Sequence, residues 1–121
     1  MNIEDIRDYC LKKAHVTEHF PFDEVTLVFK VADKMFLLTS LKTWEKGTPF
    51  LNLKCDPEYA EILRADYESI TPGYHMSKKH WNSVYLNQND LQPQFVLELI
   101  DHSYDLIVKS LTKKIREELG L

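Results

Sequence analysis

The sequence predicts an α+β fold: one antiparallel sheet with N-terminal, middle and long C-terminal helices packed on one of its faces. Three observations lead there. Residues 25–31 alternate about one apolar face and residues 35–41 continue as a second strand after a short turn, Asp56-Pro57 opens a helix between strands, and apolar residues recur at steps of three and four from about residue 92 to 119.

The first helix is expected over about residues 3–15. Asn2 caps it, Asp5 completes an imperfect capping box, and Ile3, Ile6, Cys10 and Ala14 share one face. His19-Phe20-Pro21-Phe22 ends that pattern. Val25, Leu27, Phe29 and Val31 then alternate with Thr26, Val28 and Lys30; Ala32-Asp33-Lys34 turns tightly, and residues 35–41 return as the partner strand. Residues 42–49 contain Gly47 and Pro49 and lack periodicity, so they read as a loop presenting Trp44. Residues 50–55 form a third strand. Asp56 supplies a cap oxygen, Pro57 suits the first helical position and Glu58 complements the positive end of the dipole, so a helix follows to about Tyr67 with Ala60, Leu63 and Tyr67 inward. Thr71-Pro72-Gly73 breaks the chain. Residues 79–86 read as a strand ending at Asn87-Gln88-Asn89-Asp90, and one long helix, with Val96, Leu99, Ile100, Ser103, Leu106, Ile107, Ser110 and Leu111 on its largely apolar face, occupies residues 92–119.

Nothing divides residues 1–121, so they read as a single domain, large enough to bury a core without a disulfide or a structural metal. Cys10 and Cys55 are too few for a secreted disulfide scaffold and fit no zinc spacing, so both read as reduced core thiols. The N-terminus is charged where a signal peptide is apolar, and no run approaches the ~20 apolar residues of a membrane span. A cytoplasmic protein without membrane partners is the expectation. The charge of −4 is local: residues 56–68 hold five acids against Arg64 alone, whereas Lys30, Lys34, Lys42, Lys46 and Lys54 outnumber Asp33 and Glu45 in residues 30–54. A basic run, Lys109, Lys113, Lys114 and Arg116, lies near the C-terminus.

Two stretches are distinctive as motifs: Asn52-Leu-Lys-Cys-Asp-Pro-Glu58 and Thr71-Pro-Gly-Tyr-His-Met-Ser-Lys-Lys-His-Trp-Asn82. Together with Val28-Phe-Lys-Val31, Lys34-Met-Phe36 and Leu99-Ile-Asp-His-Ser-Tyr-Asp-Leu106 they resemble the MmcQ/YjbR family over nearly the whole chain. Ser77 stands where that family commonly has Asn after the Tyr-His-Met triplet. The resemblance implies a CyaY-like, frataxin-like arrangement of helix, antiparallel sheet and helices, and a DNA-binding role through paired hairpin wings.

From the residues themselves, the 73–82 segment concentrates cations, imidazoles and aromatics. Lys78 and Lys79 suit phosphates, and Tyr74 or Trp81 offers a stacking face, with His75, His80 and Asn82 beside them. Lys30, Lys34 and Lys54 are candidates for the same nucleic-acid surface, and Trp44 with Lys42 and Lys46 for a second wing tip. The same aromatics equally suit packing over the sheet edge, a loop Trp folds back readily, and Asn52 and Asn82 are best read as satisfying local backbone groups. His75 and His80 fall on opposite faces of a regular strand, which is poor metal geometry, and His102 reads as a hydrogen-bonded helix histidine. No nucleophile elbow, phosphate loop or dinucleotide fingerprint is present. Neither catalysis, cofactor nor metal is expected. The leading expectation is a module binding DNA or RNA; the alternative is a protein-interaction or small-ligand-binding domain in which Tyr74, Trp81 and Trp44 line a groove.

Overall fold

The two-residue turn between the first strands sets the register of the sheet. In a computed structural model describing residues 1–121, Ala32 and Asp33 both take positive φ (48° and 67°), the backbone that a tight hairpin between right-twisted strands requires. The turn joins β2 (Thr26–Val31) to β3 (Lys34–Ser40), and the register passes from Phe29 opposite Leu37 to Lys30 opposite Met35, leaving Phe36 as an extra residue. This bulge directs both Phe36 and Leu37 to one side, where both are fully buried, and leaves Met35 beside Lys30 on the other.

The remaining strands are β1 (Val16–His19), β4 (Phe50–Lys54), β5 (Ile70–Pro72) and β6 (Trp81–Tyr85), and the antiparallel sheet has the order β1-β2-β3-β4-β6-β5. The helices are α1 (Ile3–Leu11), α2 (Leu41–Glu45), α3 (Pro57–Asp66), α4 (Pro93–Ser110) and α5 (Lys113–Leu119). Ile6 and Cys10 of α1, Ala60 and Leu63 of α3, and Val96, Leu99, Ile100 and Ile107 of α4 join Leu27, Phe29, Leu37, Leu51 and Leu53 in one core cluster. That single cluster on one side of a single sheet is the α+β domain expected. Phe36 meets Tyr104 of α4 edge-on at 5.5 Å.

Polar side chains complete the places where backbone pairing is incomplete. β3 and β4 pair in register only at Leu37–Leu53 and Leu38–Asn52. Beyond one end, the buried Ser103 hydroxyl of α4 donates to the Phe36 carbonyl at 2.5 Å and accepts from the Lys54 N–H at 2.9 Å. Beyond the other, the Thr39 hydroxyl donates to the Phe50 carbonyl at 2.7 Å. Tyr9 and Lys13 both donate to Asp101, tying α1 to α4, and Arg7 forks onto both oxygens of Glu18 in β1. Burial pushes the Cys10 and Cys55 thiols up, to about 12 and about 11, so neither is a ready nucleophile at neutral pH.

Several element boundaries differ from expectation. The first helix ends at Leu11, because His15 takes φ 60° and turns the chain into β1, which the sequence pattern does not reveal. Residues 41–45 form the short helix α2 where a loop is expected. The strand expected over 79–86 is confined to Trp81–Tyr85, and Ile70–Pro72 supplies an edge strand unread in the sequence. The closing helix is two: Leu111 adopts an extended backbone and is buried, and the Thr112 hydroxyl restarts the helix by accepting from the Ile115 N–H. No helix is long and apolar enough to cross a membrane.

His102 behaves as expected of a hydrogen-bonded helix histidine. Its Nε2 accepts from the Asp56 N–H at 3.2 Å, its ring meets Tyr59 edge-on at 5.3 Å, and burial holds its pKa below the usual histidine range, against the opposing pull of Asp56 and Asp105. The neutral ring is the bound form. Its contribution is therefore complete above the unfolded-state pKa, roughly 6.5, and is lost as pH falls through the lower folded-state value. Urea midpoints measured from pH 7.5 to pH 5 should fall for the wild type and fall less for His102→Gln; identical profiles would remove His102 from the acid sensitivity.

Candidate functional site

The face turned away from the helices is only partly covered. Val28, Leu38, Asn52 and Ser83 stand across it in register on four adjacent strands, and Val28 and Leu38 are buried there outside the main core cluster. The Gly73–His80 stretch folds over one side of this face. It is held by a closed set of bonds: the Tyr74 N–H donates to Ser83 Oγ at 2.9 Å, Asn52 Nδ2 donates to the Tyr74 carbonyl at 3.1 Å, and Ser83 Oγ donates to Asn52 Oδ1 at 2.5 Å. Asn52 therefore serves a backbone partner, as the sequence favours. Gly73 is demanded by close approach, since a Cβ there would stand 2.8 Å from Trp81 Cβ and 3.0 Å from the Trp81 carbonyl oxygen.

From the opposite side, Arg64 of α3 fastens the same stretch. Its Nε donates to Asn82 Oδ1 at 2.7 Å, and its Nη2 donates to the carbonyls of Lys78 and Trp81. Between this anchored stretch and the segment after β1 lies an open cleft of about 420 Å³. Met35, Leu38 and Phe50 form its sheet-side floor, and Phe22, Tyr74 and His75 stand on the bordering loops. Phe22 is 63% exposed and Tyr74 57%, so each has apolar surface left to bury against a ligand. Tyr74 is supported by Phe50 edge-on at 6.1 Å and by His75 at 4.0 Å.

The expected site residues divide among several places. Tyr74 and His75 border the cleft. Lys30, Lys54 and Trp81 share the open face, Lys54 being the register partner of Trp81 and Lys30 that of Met35. Lys78 and Lys79 instead line a shallow hollow with Glu58, Glu61 and Arg64 of α3, and Lys78 Nζ donates to the Gly73 carbonyl at 3.3 Å. His80 is exposed in the connecting loop, and its carbonyl accepts from the Cys55 N–H. Asn82 points to the helix side, 2% exposed and bound to Arg64. Lys34 begins β3 opposite the core residue Val31. The wing tip expected at Trp44 is not formed: the indole packs against the core and its N–H donates to Thr39 Oγ1 at 2.9 Å, leaving Lys42 and Lys46 exposed on and just after α2. Burying an indole with its one donor satisfied outweighs exposing it.

Phe22, Met35, Leu38 and Phe50 are the large apolar cleft residues other than Met76 that sequence reasoning did not single out. Met35 and Leu38 are three residues apart on one strand, so regular alternation would put them on opposite faces, and only the bulge at Phe36 puts both on the open face. Phe22 carried a faint signal, an aromatic stranded in a turn beside Pro21. No three His, Cys, Asp or Glu side chains converge as metal ligands.

These observations define a small α+β domain, helix-backed on one face of its sheet and carrying a loop-walled cleft on the other. The chain belongs to the YjbR family, whose family model matches residues 11–106. It is 41% identical over 95 residues to the uncharacterized protein YbdF of Escherichia coli O157:H7, covering 78% of this chain and 75% of that one. With the uncharacterized protein YjbR of Escherichia coli strain K12 it shares 32% identity over 119 residues, 98% of each. The crystal structure of the Deinococcus radiodurans protein DR2400 superposes with a TM-score of 0.88 at 40% identity, covering 99% of this chain and 88% of that one. A Pseudomonas syringae protein structure gives a TM-score of 0.73 at 30% identity, over 88% and 98% of the two chains.

Proposed function

We propose that the chain is a non-catalytic binding module that seats a small organic ligand in the open-face cleft. The observation that carries this reading is the cleft: an apolar strand floor between two well-exposed aromatic side chains, fixed by loop anchors whose own polar groups are already paired. A preformed concavity with an apolar lining and few free polar groups is the usual form of a small-molecule site. Absence of catalysis is supported by two buried thiols raised well above neutrality and by serines bonded to structural partners at Ser83 and Ser103. A cytoplasmic location is part of the proposal, in keeping with two free cysteines.

Nucleic-acid binding is the second reading, favoured by Lys30, Lys54 and Trp81 on one face. Lys78 and Lys79 lie apart from that face, in the hollow beside Glu58, Glu61 and Arg64 of α3, which weighs against one continuous basic surface. Anisotropy of labelled single-stranded and duplex DNA and RNA at two salt concentrations tests it: sub-micromolar binding that weakens steeply with salt would favour nucleic acid over the small ligand. For the cleft, a fragment panel followed by ¹H–¹⁵N shifts should find aromatic compounds that move the Leu38 and Tyr74 resonances. Tyr74→Ala and Phe22→Ala are expected to weaken those binders about tenfold or more, since each removes an aromatic wall, while changing stability by less than about 1 kcal/mol because both side chains are exposed. Binders that ignore both substitutions would place the site elsewhere.

A further inference from the structure

Resting on the cleft reading, we propose that its ligand is an aromatic anion: a flat ring body lodged between Phe22 and Tyr74, with an acidic group directed to Lys30 and Lys54. The first support is charge segregation. The chain carries −4 overall, with five acids crowded into residues 56–68, yet no Asp or Glu occupies an open-face position of any strand, whereas Lys30 and Lys54 do.

The second is where those lysines stand. Lys30 is the register partner of the floor residue Met35, and Lys54 lies two residues beyond Asn52, another lining residue, on β4. The lysine row is thus about 7 Å along the strands from the Leu38–Asn52 row, a distance that a fused two-ring body with a terminal acid spans. Neither lysine takes part in any of the ion pairs of the fold.

The third is the state of the one acid at the rim. Asp23 accepts from the Val25 and Thr26 N–H groups and from the Thr26 hydroxyl, with Lys42 close enough to act on its charge, so it is already engaged rather than free to recruit a cation. The exposed rings of Phe22 and Tyr74 call for a flat apolar body, which inorganic anions lack.

Three nearly isosteric probes separate charge from shape: 2-naphthoate, 2-naphthamide and 2-naphthylmethylammonium, titrated into the whole chain at low ionic strength and followed by ¹H–¹⁵N shifts. 2-Naphthoate is expected to saturate with shifts at Leu38 and Tyr74, to bind about tenfold more tightly than the amide, and to leave the ammonium weakest. In Lys30→Gln/Lys54→Gln its affinity should fall to that of the amide, whose own affinity is unchanged. Raising salt on the wild type should erode the same preference, a readout needing no variant. Equal binding of the three probes, or a preference that survives the double substitution, overturns the anion assignment and leaves the cleft reading standing; no shift at Leu38 or Tyr74 with any probe overturns both. Uridine monophosphate is the final arm. If it binds more tightly than 2-naphthoate with the same lysine dependence, the anion is a nucleotide phosphate; if it binds less tightly, the ligand is a free aromatic acid.

Discussion

Ser103→Ala should lower the unfolding free energy by about 2–4 kcal/mol, far more than a buried serine-to-alanine change costs when the hydroxyl is idle. The hydroxyl stands between two strands that have separated: it donates to the Phe36 carbonyl and accepts from the Lys54 N–H, and the residue is fully buried. Alanine leaves both backbone groups without partners, each at roughly 1–3 kcal/mol. The gap exists because Phe36 is the bulged residue, so no strand partner is available to take over. Urea denaturation of Ser103→Ala beside Ser110→Ala makes the comparison, since Ser110 is exposed and its hydroxyl bonds only the Ile107 carbonyl within its own helix. Equal, small losses for the two would mean that Ser103 does not bridge β3 and β4.

Arg64→Met is expected to cost a similar amount, about 2–4 kcal/mol, and to loosen the wall of the cleft as well. Methionine keeps the aliphatic stem but removes the donors to Asn82 Oδ1 and to the carbonyls of Lys78 and Trp81. Asn82 is 2% exposed and its Nδ2 already has no hydrogen-bond partner within the protein, so the substitution strands the whole amide. Arg64→Met/Asn82→Leu removes both partners and should recover much of the loss. Hydrogen exchange of the amides from Tyr74 to Trp81 should accelerate in the single variant. A double variant no more stable than Arg64→Met would show that the arginine acts through the backbone carbonyls alone.

The cleft wall depends on Arg64 and on the Asn52 and Ser83 side chains, all distant in sequence from the stretch they hold, which explains why the cleft is harder to read than the elements around it. Elements announced by local chemistry were legible: the Asn2–Asp5 capping box, the Asp56-Pro57 helix start, the Ala32-Asp33 turn and the apolar stripe of Val96, Leu99, Ile100 and Ile107 all act within a few residues of themselves. The inward or outward direction of Lys30, Lys54 and Cys55 followed from strand alternation in the same way. The misread boundaries share a cause. β1 and β5 are four and three residues long, too short to establish a period, and each exists because a longer neighbour offers it a ladder.

Family membership, fold class and the burial of the cysteines were determined by the sequence alone, because each rests on motif or periodicity. Tertiary structure decided which charged and aromatic residues share a surface. Lys78 and Lys79 are four and five residues from Tyr74 yet face the acids of α3, whereas Phe22, fifty-two residues away, borders the same cleft as Tyr74. The reason is that proximity in a sheet is set by register and by the bulge at Phe36, and proximity in a loop by whichever distant side chain, here Arg64, Asn52 or Ser83, captures its backbone.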